Sequence, residues 1–122
     1  MAKKILMIDD EPNTIKIIED RLKLMGYDFE GRMNPKDGQW ATSKTRPDLI
    51  IIDVSMPGWS NGVDFLVSLK HNPALTGVPI VVYTSLNDPD LQRRAAESGA
   101  AGYFQKVSGN KALFDKIKSL LG

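Results

Sequence analysis

Four groups of side chains in this 122-residue chain have types and spacing that could do chemistry: Asp9-Asp10-Glu11, Asp53, Thr84-Ser85 and Lys106. The first three follow short apolar runs, Ile5–Ile8, Leu49–Ile52 and Ile80–Tyr83, and Lys106 closes the segment that begins at Gly102. Carboxylates crowded on one rim repel one another unless a cation joins them or their pKa values rise. Oxygen-only ligands select a hard cation, and Mg²⁺ suits them best because it keeps several waters and tolerates a phosphate. An amine and a hydroxyl at the same rim would complete a pocket for a phosphoryl group. There the cation and Lys106 neutralise phosphoryl oxygens, Thr84 donates to one, and an aspartate serves as nucleophile. A continuous apolar strand would hold Asp53 most rigidly, which makes it the best candidate for covalent attack.

The elements that must position these groups are legible from two periods. The apolar runs are continuous and rich in β-branched residues, the signature of strands buried on both faces of a parallel sheet. Between them the period turns helical. Ile15, Ile18, Leu22 and Met25 recur at three and four, and Gly26 stands where a left-handed cap is expected. A second helix is predicted from Pro35 to Lys44, with Asn34 as N-cap and Trp40 as its apolar anchor. A third runs from Asn61 to Lys70, and a fourth from Asp88 to Ser98 buries only Leu91 and a few alanines. The last carries Leu113, Phe114, Ile117, Leu120 and Leu121. Asp28–Met33 is a poorly marked second strand and Gly102–Lys106 the fifth. Five βα units predict a doubly wound α/β domain: a five-stranded parallel sheet with helices on both faces and right-handed crossovers. Ligands in such sheets bind beyond the carboxyl ends of the strands, where all four groups fall.

Composition narrows the classes further. The length predicts a single domain over residues 1–122. Sixteen Lys plus Arg against fifteen Asp plus Glu offer no bulk field for nucleic acid or an anionic membrane. With no cysteine and one histidine, His71, thiol chemistry, Cys-based metal sites and a Ser-His-Asp triad are disfavoured. The apolar run after Met1-Ala2-Lys3-Lys4 is too short for a signal-peptide core, and no stretch reaches a membrane span, so the expected address is cytoplasmic.

Taken in order, Ile-Leu-Met-Ile-Asp9-Asp10-Glu11-Pro12, Pro47-Asp48-Leu-Ile-Ile-Ile-Asp53-Val-Ser-Met56-Pro57, Pro79-Ile-Val-Val-Tyr-Thr84-Ser85 and Gly99-Ala-Ala-Gly-Tyr103-Phe-Gln-Lys106 resemble the receiver domain of two-component response regulators, over essentially the whole chain. The resemblance implies a flavodoxin-like strand order 2-1-3-4-5. It also implies that Asp53 accepts a phosphoryl group from a phosphohistidine of a sensor histidine kinase or a histidine phosphotransfer protein. Asp9, Asp10, Asp53 and the backbone carbonyl of Ser55 would hold Mg²⁺, Thr84 and Lys106 would contact phosphoryl oxygens, and Tyr103 would swing inward as Thr84 moves. The chain would thus catalyse its own phosphorylation and dephosphorylation without turning over an external substrate. It would signal to a downstream protein target through the face of helix 4, strand 5 and helix 5, with no direct nucleic-acid or membrane partner. Such coupling is typically about 1–3 kcal/mol, a population shift.

Three departures from the family pattern stand out. Val107 replaces the proline usual after the rim lysine. A cis bond before valine costs roughly 3–4 kcal/mol, so Lys106–Val107 is predicted trans, with an altered loop. The loop Gly58-Trp59-Ser60-Asn61-Gly62 is one residue longer than usual, with Asn61 in place of a frequent aspartate. Ser55 and Leu86 are unsuited to orienting an attacking water, which predicts slow intrinsic dephosphorylation. Two other classes compete: a pseudo-receiver that interacts without phosphorylation, and a flavin- or nucleotide-binding domain, which would want a Gly-rich loop where the acids stand. The plainer readings make Asp9–Glu11 a solvated strand end, Thr84 and Ser85 loop hydroxyls, Lys106 an exposed amine, Tyr103 and Trp40 core, His71 surface and Asp48 structural.

Overall fold

The computed structural model describes residues 2–55, 62–106 and 110–122. Five strands alternate with five helices: β1 Lys4–Ile8, α1 Pro12–Leu24, β2 Asp28–Arg32, α2 Pro35–Lys44, β3 Leu49–Ile52, α3 Gly62–Lys70, β4 Ile80–Thr84, α4 Pro89–Glu97, β5 Gly102–Gln105 and α5 Lys111–Leu121. The strands form one parallel sheet in the order β2-β1-β3-β4-β5. The loop around Trp59 and the Lys106–Val107 bond lie outside the described residues.

Side-chain alternation along the central strands builds two cores, one on each sheet face. Leu6, Ile8, Ile50, Ile52, Ile80 and Val82 face α2, α3 and α4 through Ala41, Phe65, Leu66, Leu91 and Ala95. Ile5, Met7, Leu49, Ile51, Val81 and Tyr83 face α1 and α5 through Ile18, Leu22, Leu113, Phe114 and Ile117. Among the described residues no helix is long and apolar enough to cross a membrane.

Local signals at the helix ends act as expected. Asn34 Oδ1 accepts the Asp37 amide at 2.8 Å with Pro35 in the first turn, and Asp88 Oδ1 caps α4 at Asp90 and Leu91. After α1, Gly26 has φ +93°, while the Gly26 and Tyr27 amides donate back to the Lys23 and Leu22 carbonyls, each at 3.0 Å.

Trp40 departs from expectation. It is 54 % exposed rather than the apolar anchor of α2, whose buried residues are Pro35, Gly38, Ala41 and Thr42. The reason is close approach. A Cβ on Gly38 would run into the fully buried Ile8 side chain, so α2 lies against β1 through small residues and the large ring is left outside. There the guanidinium of Arg32 and the ammonium of Lys44 stand 5.4 and 5.2 Å from its centroid.

Candidate functional site

Two aspartates reach the carboxyl rim on backbone that the sheet still holds. The Asp9 amide donates to the Arg32 carbonyl, extending the pairing of β1 with β2, and the Asp53 amide donates to the Ile8 carbonyl, extending β3 with β1, each at 3.0 Å. Both residues are therefore fixed where their strands end, and both are buried, Asp9 fully and Asp53 to 2 % exposure. One carboxylate oxygen from each of Asp9, Asp10, Glu11 and Asp53 lies within 4.8 Å of the others.

Lys106, the residue after β5, crosses to these acids. Its Nζ stands 2.7 Å from Asp9 Oδ2, 2.9 Å from Glu11 Oε1 and 3.1 Å from Asp53 Oδ2. The ammonium is 11 % exposed and is itself disfavoured by burial, yet its carboxylate partners outweigh that and raise its pKa. Asp53 Oδ1 is held from the other side, accepting from the Ser55 amide at 2.9 Å and the Ser55 hydroxyl at 2.7 Å.

The two buried aspartates are pushed apart electrostatically. Burial raises the Asp9 carboxyl above its ordinary value, and the Asp53 charge adds to this, although Lys106 and the Glu11 amide pull against both. Burial also acts to raise Asp53, but the Ser55 amide and hydroxyl and the Lys106 ammonium outweigh it and hold that carboxyl below the usual range. Asp53 thus stays ionised at neutral pH, while Asp9 wants a further positive charge. Asp9 Oδ2, beside Lys106 but outside hydrogen-bond alignment, has no hydrogen-bond partner although it is buried. Four clustered carboxylates, three of them around one ammonium and one of them with such an oxygen, fit a hard divalent cation.

Thr84 ends β4 fully buried, its hydroxyl donating at 3.5 Å to the Ser55 hydroxyl and accepting the Leu86 amide at 3.3 Å. The half-buried Tyr103 packs against the α2–α4 core and donates its hydroxyl to the Leu86 carbonyl at 3.1 Å. Leu86 therefore links Thr84 to Tyr103. The structure brings Asp9, Asp10, Asp53, Ser55, Thr84 and Lys106 to one rim, with Tyr103 one link away.

Two participants went unassigned in the sequence reading. Glu11 pairs with Lys106, a role its place just before a helix disguises because acids are ordinary there. The Ser55 hydroxyl orients Asp53, whereas only its carbonyl had been given a part. Asp48 and His71 behave structurally: Asp48 Oδ2 accepts the Lys4 amide at 2.8 Å on the opposite rim, and exposed His71 Nδ1 meets the Val67 carbonyl at 2.8 Å.

Buried acids at the ends of β1 and β3, a hydroxyl at the end of β4 and a lysine after β5 thus meet at one rim of a five-stranded parallel sheet. The profile of the response regulator receiver domain matches residues 5–118, and the chain belongs to that family. The response regulator PleD of Caulobacter vibrioides is 28 % identical over 120 residues, covering 98 % of this chain and 26 % of PleD. The polar-differentiation response regulator DivK of Brucella anthropi is 25 % identical over 122 residues, covering 100 % of this chain and 98 % of DivK. This chain therefore spans about a quarter of one relative and nearly all of the other. The signal receiver domain of a signal transduction histidine kinase from Syntrophus aciditrophicus matches in structure with TM-score 0.86 and 34 % identity, over 98 % of this chain and 90 % of that one.

Proposed function

We propose that Asp53 accepts a phosphoryl group from a phosphohistidine on a sensor kinase or phosphotransfer protein, and that the added charge biases the Thr84–Leu86–Tyr103 link toward a second arrangement read by a protein partner. The observation that carries this is the Asp53 carboxylate: buried, held through Oδ1 by Ser55 and through Oδ2 by Lys106, inside a cluster of three further acids. In the transfer an Asp53 oxygen forms a bond to phosphorus as the phosphorus–nitrogen bond breaks. The electron pair leaves on the imidazole, which is neutral once it carries its remaining proton.

A Mg²⁺ ion held by Asp9, Asp10, Asp53 and the Ser55 carbonyl would neutralise phosphoryl oxygens as charge gathers on them. The remaining work falls to the chain. Lys106 offers a second positive charge, Thr84 a hydroxyl donor, and Ser55 keeps Asp53 aimed. Phosphorylation replaces the single negative charge of the Asp53 carboxylate with the roughly −1.5 to −2 of a phosphoryl group, at a rim where three carboxylates already face one ammonium. Lys106 is drawn toward the phosphoryl oxygens, Thr84 gains an acceptor better than the Ser55 hydroxyl, and the Leu86–Tyr103 contact shifts with it.

The test is incubation with acetyl phosphate and Mg²⁺ followed by intact-mass measurement. Wild type should gain one phosphoryl mass and Asp53→Asn none. No gain in wild type would return the chain to the pseudo-receiver reading.

A further inference from the structure

Building on the phosphoryl-acceptor reading of the site, we propose that Tyr83 is a positioning residue for Lys106, bracing both flanks of the connection from β5 to α5. Tyr83 precedes Thr84 on β4, so its side chain points to the opposite sheet face, toward α1 and α5, where it is 4 % exposed. Its ring centroid lies 5.9 Å from Lys106 Nζ, and its hydroxyl donates to Asn110 Oδ1. Lys106 and Asn110 are the described residues on either side of positions 107–109. A single rigid side chain on an inner strand therefore touches both ends of that connection.

Two observations point to this beyond proximity. Asn110 occupies the N-cap position of α5, where an asparagine side chain normally accepts a helix amide, yet it makes no cap hydrogen bond. Its oxygen serves Tyr83 instead. Lys106 in turn faces three carboxylates at similar distances, one of them the largely exposed Glu11. A four-carbon stem has the freedom to lean toward any of them. The ring of Tyr83 limits that freedom by attracting the ammonium to a fixed place. The brace reaches Lys106 from the face of β4 opposite Thr84, so it constrains the amine without obstructing the rim where the phosphoryl group would sit.

The experiment measures Asp53 phosphorylation of the 122-residue chain by acetyl phosphate at saturating Mg²⁺, in which the Asp53 oxygen–phosphorus bond forms, the acetyl oxygen–phosphorus bond breaks and acetate leaves. Tyr83→Phe, which keeps the ring and loses the hydroxyl, should slow phosphorylation about three- to tenfold, the reach of one hydrogen bond. Asn110→Ala should slow it equally, and the double variant no further, because both remove the same bond. Asn110→Asp, which keeps the acceptor, should restore near-wild-type rate, and Tyr83→Leu should be slowest. Mg²⁺ affinity should stay within about twofold throughout, since Asp9, Asp10 and Asp53 are untouched. Wild-type rates in Tyr83→Phe and Asn110→Ala would overturn the proposal. So would losses that track a weakened Mg²⁺ site and a lowered unfolding midpoint, because general loosening would then account for them. Failure of wild type itself to be phosphorylated would count against the acceptor reading, and the brace would still be decided by the Lys106 side-chain ¹⁵N–¹H resonance. That signal should shift slightly in Tyr83→Phe and be displaced further or broadened in Tyr83→Leu; an unmoved signal in Tyr83→Leu sinks the brace.

Discussion

Two aspartates bracket the same strand, Asp48 just before β3 and Asp53 just after it, and they are used in opposite ways. Asp48 gives its carboxylate to the Lys4 amide and, with its own amide bonded to the Lys4 carbonyl at 2.8 Å, closes the lower end of the sheet. Asp53 closes nothing that another hydrogen-bonding side chain could not close. It is held by Ser55 and Lys106 within a group of like charges whose mutual repulsion the Lys106 ammonium offsets. The difference teaches that a strand-end acid bonded to a neighbouring strand's backbone closes the sheet, whereas acids that crowd one rim around an amine are the candidates for chemistry.

The largest expected effect separates the two. Asp53→Asn should abolish phosphoryl acceptance, read by intact mass, whereas Asp48→Asn should leave it near wild type; equal losses in both would erase the contrast. On stability the ranking reverses. Asp48→Ala orphans the Lys4 amide and should cost about 1–3 kcal/mol in urea unfolding. Asp9→Asn sharpens the comparison from the crowded side. Removing a buried carboxylate whose pKa burial has raised should stabilise the metal-free protein at pH 7, read as a higher urea midpoint than that of wild type. It should also shrink the rise in melting temperature that Mg²⁺ brings to wild type; an unchanged Mg²⁺ response would remove Asp9 from the metal site.

The smallest effect lies at neither pole, in the Glu30 pair on β2. The Lys4 ammonium at 2.8 Å, with Arg32 beside it, holds the Glu30 carboxyl below its ordinary value against the cost of burial. A depressed acid adds stability above its unfolded pKa, about 4.3, and that stability fades as pH falls through the folded value. Glu30→Gln should therefore lose less than about 1 kcal/mol at pH 7, and the gap in urea midpoint from wild type should close as pH falls below the unfolded value.

How far the sequence could be read depended on whether a residue's role is local. The central strands announced themselves because both their faces are buried, and the acids and lysine were legible because they follow those runs. Strand β2 was faint because it is an edge, with its residues half-covered and little alternation to read. Trp40 was misplaced for a packing reason. Apolarity predicts burial, but the inward face of α2 is dictated by how near Gly38 must come to Ile8, a distance set by another element. The pairing of Tyr83 with Asn110 spans 27 residues and joins a strand interior to a helix start, so no spacing rule exposes it.

Asn110's diversion leaves a mark on α5. The helix begins with Lys111 and has no acid in its first turn, and its opening N–H groups lack a capping side chain and stand beside a positive charge at the positive end of the helix dipole. Leu113, Phe114 and Ile117 tie the helix to the core from the end of its first turn onward. Fraying should therefore begin at the exposed Lys111 and Ala112 and stop at the buried Leu113, and in deuterium exchange those first amides should turn over well before those of the helix's middle.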